Sequence, residues 1–236
     1  MVPTSLGSPG RGFKPISAPS GRPAGPTDRP RYTVDDMTTS VSTPRLRVTL
    51  LWYLALVCLA ALTRPAPLPT PLAGIIDAFA LLLVATASLG RIWCSVFIAG
   101  RKDVELVTTG PYALCRHPLY TLSMIGGVGL GLATHSLLLT AATLLVLGTL
   151  FTGAATAEDR FLAARFEQRF EAYRATTPLF WPQRWREPRP ETLSVRPAIL
   201  WKSFVDAGAF FLLFALVLVA RRIGDSGLLA SPLSLP

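Results

Sequence analysis

The chain has 236 residues, half of them hydrophobic and only 16% charged, with a formal net charge of +9. A soluble domain carries about a quarter charged residues; here the shortfall is concentrated in runs almost empty of charge, the pattern of membrane spans. The basic excess excludes nucleic acid as a partner, because the arginines flank the apolar runs instead of alternating with stacking aromatics, and at those places they set topology and meet anionic lipid. Cys58, Cys94 and Cys115 have neither metal nor redox-pair spacing, so packing is their expected role and no bound metal is expected.

Residues 1–45 are rich in Pro, Gly, Ser, Thr and Arg. Such a segment buries too little apolar area to offset its ordering entropy and is expected to be a disordered tail. Arg45, Arg47 and the following run from Val48 to Thr63 imitate a secretory signal, but the run is long for one, so an uncleaved first span is expected. The prolines between Arg64 and Pro71 end it. The second span, Leu72 to Ala99, contains Asp77 and Arg91. Both lie within about two turns of a span end, where either snorkelling or function accounts for them. A polar connection over residues 100–118 holds the turn signal Gly110-Pro111.

The apolar stretch from Leu119 to Thr156 is too long for one span and breaks at Thr134-His135-Ser136. It reads as a tight helical hairpin with His135 solvent-exposed at its tip. Ser123, Gly127 and Gly131 form a small-residue ridge suited to close helix packing. In residues 158–176, Leu162, Phe166, Phe170 and Tyr173 recur at helical spacing among charges, as in an amphipathic helix lying along the membrane or on the bundle. Pro178 and Pro182 end it. A fifth span runs from Val205 to Ala220, and residues 224–236 form a short tail. The expected fold is all-α: a polytopic bundle of about five transmembrane helices within one membrane domain, residues 46–223.

Most lysines and arginines fall on one side of this threading, and only Arg64, Arg221 and Arg222 on the other. The connection 100–118 and residues 158–196 are therefore expected on the cytoplasmic face. A composition rich in Arg, Ala, Leu and Pro suggests a bacterial inner membrane. The hairpin runs out and back to one surface, so it sets the segment Val104–Tyr120 beside Glu158-Asp159. The result is a rim pocket in which Tyr112, Arg116, His117 and Tyr120 face two carboxylates. Donors and an aromatic wall opposite carboxylates suit a zwitterionic, partly aromatic small molecule.

The segment Gly110-Pro-Tyr-x-x-x-Arg-His-Pro-Leu-Tyr120 resembles the signature of the isoprenylcysteine carboxyl methyltransferase and phospholipid methyltransferase superfamily. The resemblance extends over residues 90–183 through Glu158-Asp159, Leu162, Phe166-Glu167, Phe170, Tyr173 and Pro182. It implies an enzyme that uses S-adenosylmethionine to methylate a lipophilic or membrane-borne acceptor. By position, Glu105, Leu106 and Val107 would line the donor pocket; Tyr112 and His117, Pro118, Leu119 and Tyr120 would hold its methionine and adenosine parts. Glu158 would accept hydrogen bonds from it, and Arg116 would orient a carboxylate or the loop itself. Alignment in a desolvated pocket then supplies much of the catalysis, with Arg116 and Glu158 as the catalytic candidates.

Two departures from the pattern stand out. Phe166-Glu167 replaces Phe-Gly, and Ala154 stands one helical turn before Glu158 where the isoprenylcysteine enzymes carry an arginine. With no cation there, an acceptor bearing a prenylcysteine carboxylate is expected to be a poor one. Two rival readings are a sterol-reductase-like membrane enzyme binding NADPH on a related architecture, and a non-catalytic membrane protein. The intact Tyr112, His117, Tyr120 and Glu158 weigh against a decayed site.

Overall fold

The structure, a computed structural model, describes residues 34–65, 67–99, 101, 105–181, 195, 197–226 and 233–235. The chain divides into two units, residues 1–40 and 41–236, and the packing and the site below belong to the second. The helices are α1 (Val34–Leu62), α2 (Thr70–Ile98), the single turn α3 (Pro111–Leu114), α4 (Pro118–Leu132), α5 (Leu137–Thr176) and α6 (Pro197–Asp225). Two three-residue strands, Thr63–Pro65 and Leu233–Leu235, pair in parallel. Helices α1, α2, α5 and α6 are long and apolar enough to cross a membrane, and α4 is a shorter apolar helix. This is a membrane protein with an all-α polytopic bundle, as the hydropathy predicts. The tail boundary drawn at residue 45 falls inside helical backbone, since α1 begins at Val34; residues 1–33 lie outside the described ones. At the other end, α6 continues through Asp225.

Helix α4 is the centre of the bundle, packed between α2 and α5, while α2 also packs on α6. Its glycines make this possible. A Cβ on Gly129 would stand 2.8 Å from the Ala80 carbonyl oxygen in α2, and one on Gly131 would stand 2.8 Å from the Thr140 Cα in α5. One on Gly127 would meet the Leu147 side chain at 2.1 Å. In lipid there is no hydrophobic drive between helices, so close backbone contact through small residues carries the association. Many leucines accordingly point outward: Leu51, Leu82, Leu89, Leu145 and Leu212 are all exposed on the bundle surface. Tyr53, Leu56 and Ala60 of α1 share a core with Phe210, Phe214 and Val217 of α6.

At the hairpin end, Arg221 of α6 grips Asp77 of α2 with both terminal nitrogens at 2.8 Å and donates to the Ala133 carbonyl at 2.7 Å. The His135 Nε2 lies 2.8 Å from the same Asp77 carboxylate. This corrects the expectation of an exposed His135: its side chain is only 9% exposed. A carboxylate near the membrane boundary requires partners, and Arg221 and His135 are the ones the fold brings to it. Arg91 is half-buried, donating to the Ser123 hydroxyl at 2.7 Å with its guanidinium 5.6 Å from the Phe210 ring centre.

Helix α5 has 40 residues, about 60 Å at 1.5 Å per residue, twice what a bilayer core needs. The amphipathic segment 158–176, expected as a separate helix, therefore begins as a continuation of the span and ends as a second helix beyond a kink. It breaks once, at Glu167, whose φ of 44° and ψ of −122° are not helical. That is the region glycine adopts freely and a side chain does not, which explains why the resembled pattern has Phe-Gly here. The break turns Phe170 and Tyr173 inward, where both are buried, and Tyr173 donates its hydroxyl to the Tyr112 carbonyl. Replacing Glu167 with glycine relieves strain of about 1–2 kcal/mol, partly offset by backbone entropy. A thermal melt in detergent should show Glu167→Gly more stable than wild type by a few degrees, with Glu167→Ala gaining nothing.

Candidate functional site

The connection between α2 and α4 enters its site through a turn that only glycine can make. Gly110 has φ 62°, and a Cβ there would lie 2.2 Å from the Phe97 ring. Pro111 then opens the single turn α3, which leaves Tyr112 buried, and Pro118 opens α4. Beyond the break in α5 the chain returns alongside this connection. The Arg116 and His117 amides donate to the Pro178 and Leu179 carbonyls at 2.8 and 3.1 Å. The Thr121 hydroxyl donates to Phe180 at 3.1 Å. Residues 177–180 thus hold the connection to the bundle by backbone hydrogen bonds that loops elsewhere would leave to water.

Asp159 is the hub. Its Oδ2 accepts from Arg116 at 2.9 Å and its Oδ1 from His117 Nε2 at 2.8 Å. Arg116 also donates to the Thr177 carbonyl. One residue earlier on α5, Glu158 accepts from the Tyr120 hydroxyl at 2.8 Å and lies 3.6 Å from His117 Nδ1. Successive helix positions point about 100° apart, so one carboxylate serves the connection and the other faces the opening. Tyr120 is stacked between His117 and Phe151, with centroids 5.5 and 5.4 Å away and planes within 14°. Burial works against a charged His117, but the hydrogen bonds and charges of Asp159 and Glu158 outweigh it and raise its pKa above the usual range. Burial likewise pushes the Tyr112 hydroxyl far up, and that hydroxyl has no hydrogen-bond partner among the described residues.

These groups surround one cavity of about 150 Å³. The structure brings together there every residue singled out from the sequence: Glu105, Leu106, Val107, Tyr112, Arg116, His117, Pro118, Leu119, Tyr120 and Glu158. Ile98, Leu162, Tyr173 and Arg45 complete the lining. Arg45 comes from α1, so although position 154 is alanine, an arginine of another helix lines the cavity. Sequence reasoning missed Arg45 because nothing in a chain position predicts contact between helices so far apart. Asp159 was visible as half of an acidic pair facing Arg116 and His117, but not which of the two carboxylates would bind both of them.

A model of the phospholipid methyltransferase family matches residues 75–169. Over 155 residues the chain is 37% identical to the cobalt-zinc-cadmium resistance protein CzcN of Cupriavidus metallidurans, covering 66% of this chain and 71% of that one. The chain belongs to the phospholipid methyltransferase family. It is also 44% identical over 103 residues to the nickel-cobalt-cadmium resistance protein NccN of Alcaligenes xylosoxydans xylosoxydans, a match covering 44% of this chain and 48% of that one. No solved structure matches. In this member of the phospholipid methyltransferase family, the matched region runs from early α2 to just past the break in α5. It includes the connection and Glu158-Asp159, and leaves out Arg45 and residues 177–180.

The raised His117 pKa fixes the sign of a pH effect. A group whose pKa is higher in the folded state contributes stability that is fully present below its unfolded value, about 6.5, and is lost as pH rises through the folded value. The groups facing it are Asp159, Glu158, Arg116 and Tyr120. Thermal melts of wild type and His117→Gln in detergent, taken from pH 6 upward, should show the wild-type advantage shrinking with pH. An advantage that grows would mean that His117 is held neutral.

Proposed function

We propose that this chain is a membrane methyltransferase that transfers the methyl group of S-adenosylmethionine to a membrane-borne acceptor at the α4–α5 cavity. The observation that carries the reading is the convergence of Tyr112, His117, Tyr120 and Glu158 on one cavity within a chain of the phospholipid methyltransferase family. The cavity also has chemistry that fits the donor. Glu158 offers a carboxylate to an ammonium or a ribose hydroxyl. The Tyr112 hydroxyl has no partner among the described residues, and Leu106, Val107 and Leu119 give apolar walls. S-adenosylmethionine, when bound, supplies a methyl group made electrophilic by its sulfonium.

The chain's own residues do the rest by position. Asp159 locks the Arg116-His117 pair, so the loop is held ready before ligand arrives and little ordering is left for the moment of reaction. The His117, Tyr120 and Phe151 stack fixes the Tyr120 hydroxyl on Glu158 and keeps water from that side. The apolar wall solvates a cation poorly, which favours chemistry that discharges it. A methylated membrane component is one route by which such an enzyme would bear on the metal resistance recorded in the relatives' names. The site face is cytoplasmic in this reading, and the membrane is the inner membrane of a bacterium.

Two measurements test it. Glu158→Gln should weaken S-adenosylmethionine binding by about tenfold or more, the usual consequence of losing one charged hydrogen bond, with little change in melting temperature. Binding of NADPH by wild type in place of S-adenosylmethionine would favour a reductase instead. For orientation, an impermeant thiol reagent on intact cells should label Asp225→Cys and spare Arg165→Cys, in a background lacking Cys58, Cys94 and Cys115. The reverse pattern would invert the topology.

A further inference from the structure

Arg45 opens the apolar stretch of α1, Arg45–Leu62, so its guanidinium sits where a span meets the lipid head groups. It lines the cavity beside Ile98, Leu119, Tyr120 and Leu162. The other basic groups at this cavity are neutralised. Arg116 is bound to Asp159 at 2.9 Å, and His117 is bound to Asp159 at 2.8 Å with Glu158 at 3.6 Å. Arg45 differs. It donates to the neutral Tyr120 hydroxyl, and its guanidinium carbon lies 5.1 Å from the centre of that ring. Among the described residues no carboxylate lies within ion-pair distance of it, and Glu158 is reached only through the Tyr120 hydroxyl.

We propose that Arg45 anchors the anionic head group, phosphate or carboxylate, of an amphiphile that enters the cavity from the membrane, and thereby sets the class of acceptor. The proposal takes the word acceptor from the methyltransferase reading; the anion site itself does not depend on it. Three features support the assignment. The hydrogen-bond partner of this half-buried guanidinium among the described residues is a phenol, and a bidentate oxyanion pairs with a guanidinium better than a phenol does. An arginine at the start of a span can lay its stem along apolar surface and keep its head at the interface, where an amphiphile's own head group resides. The same cavity is lined by Ile98 and Leu162, aliphatic side chains that suit the chain following such a head group. Glu105–Val107 and Tyr112, the residues assigned to the donor, line the same cavity.

The experiment uses the full chain in phosphatidylcholine nanodiscs, titrated with dodecyl phosphate, dodecanoate, dodecanol and dodecyltrimethylammonium, with empty nanodiscs subtracted. Wild type should bind at least one of the two anions tenfold or more tightly than dodecanol, and the tighter of the two identifies the head group. Arg45→Gln should lose that preference by tenfold or more while its affinity for S-adenosylmethionine falls less than threefold. Arg45→Lys, which keeps the charge, should retain most of the preference and shows that the loss in Arg45→Gln is not unfolding. Equal binding of dodecanol and both anions by wild type overturns the proposal, as does unchanged anion binding in Arg45→Gln. A larger loss of S-adenosylmethionine affinity than of anion affinity also overturns it, by assigning Arg45 to the donor half. Wild type that binds the anions but not S-adenosylmethionine supports the Arg45 site and removes the methyl donor, so the two readings fail separately.

Discussion

The carboxylate of Asp159 holds the site end of this molecule together. It sits on α5, yet its two oxygens accept from Arg116 and His117, the last two residues before α4. Those residues are tied in turn to the chain beyond α5 through the Pro178 and Leu179 carbonyls. A long span, the connection before the next helix and the segment after the amphipathic continuation thus meet at one buried acid. Removing a single partner from such a group leaves the others buried without compensation, so the network is held as a unit. Glu158, one residue away, is left to face the cavity because Asp159 has already satisfied the arginine.

The close packing at the centre is what makes that meeting possible. Helix α4 is short, and its glycines let the backbones of α2 and α5 approach from either side. A larger residue at Gly129 or Gly131 would strike a neighbour's backbone, which cannot rotate away as a side chain can. The register between α4 and α5 is thereby fixed, and with it the alignment of Tyr120 with Glu158. The break at Glu167 is a second device of the same kind. It turns the end of α5 back under the connection, at the expense of a backbone conformation that suits glycine better than glutamate.

The two ends of the bundle handle their charges in different ways. At the hairpin end, Asp77 is held by Arg221 and His135, an arrangement that links α2 to α6 and to the turn between α4 and α5. At the site end the charges form an open arrangement, with Glu158 and Arg45 on either side of the Tyr120 hydroxyl.

Hydropathy determined the number of apolar segments and their all-helical character, since in lipid an open backbone has no other way to satisfy its hydrogen bonds. The break at Thr134–Ser136 determined that the segments on either side return to the same surface, which is why Tyr112 through Tyr120 and Glu158 were legible as one site. The glycine ridge and the Phe-Gly departure were legible for a similar reason, because each is a local conformational demand written at its own position. Only the tertiary structure decided what depends on lateral arrangement. Arg45 reaches the cavity from another helix, Arg221 and His135 converge on Asp77, and the amphipathic segment continues a span as far as the kink at Glu167. Side-chain contacts between helices depend on their rotation and packing order, and periodicity within one helix shows which face is polar but not which neighbour that face will meet.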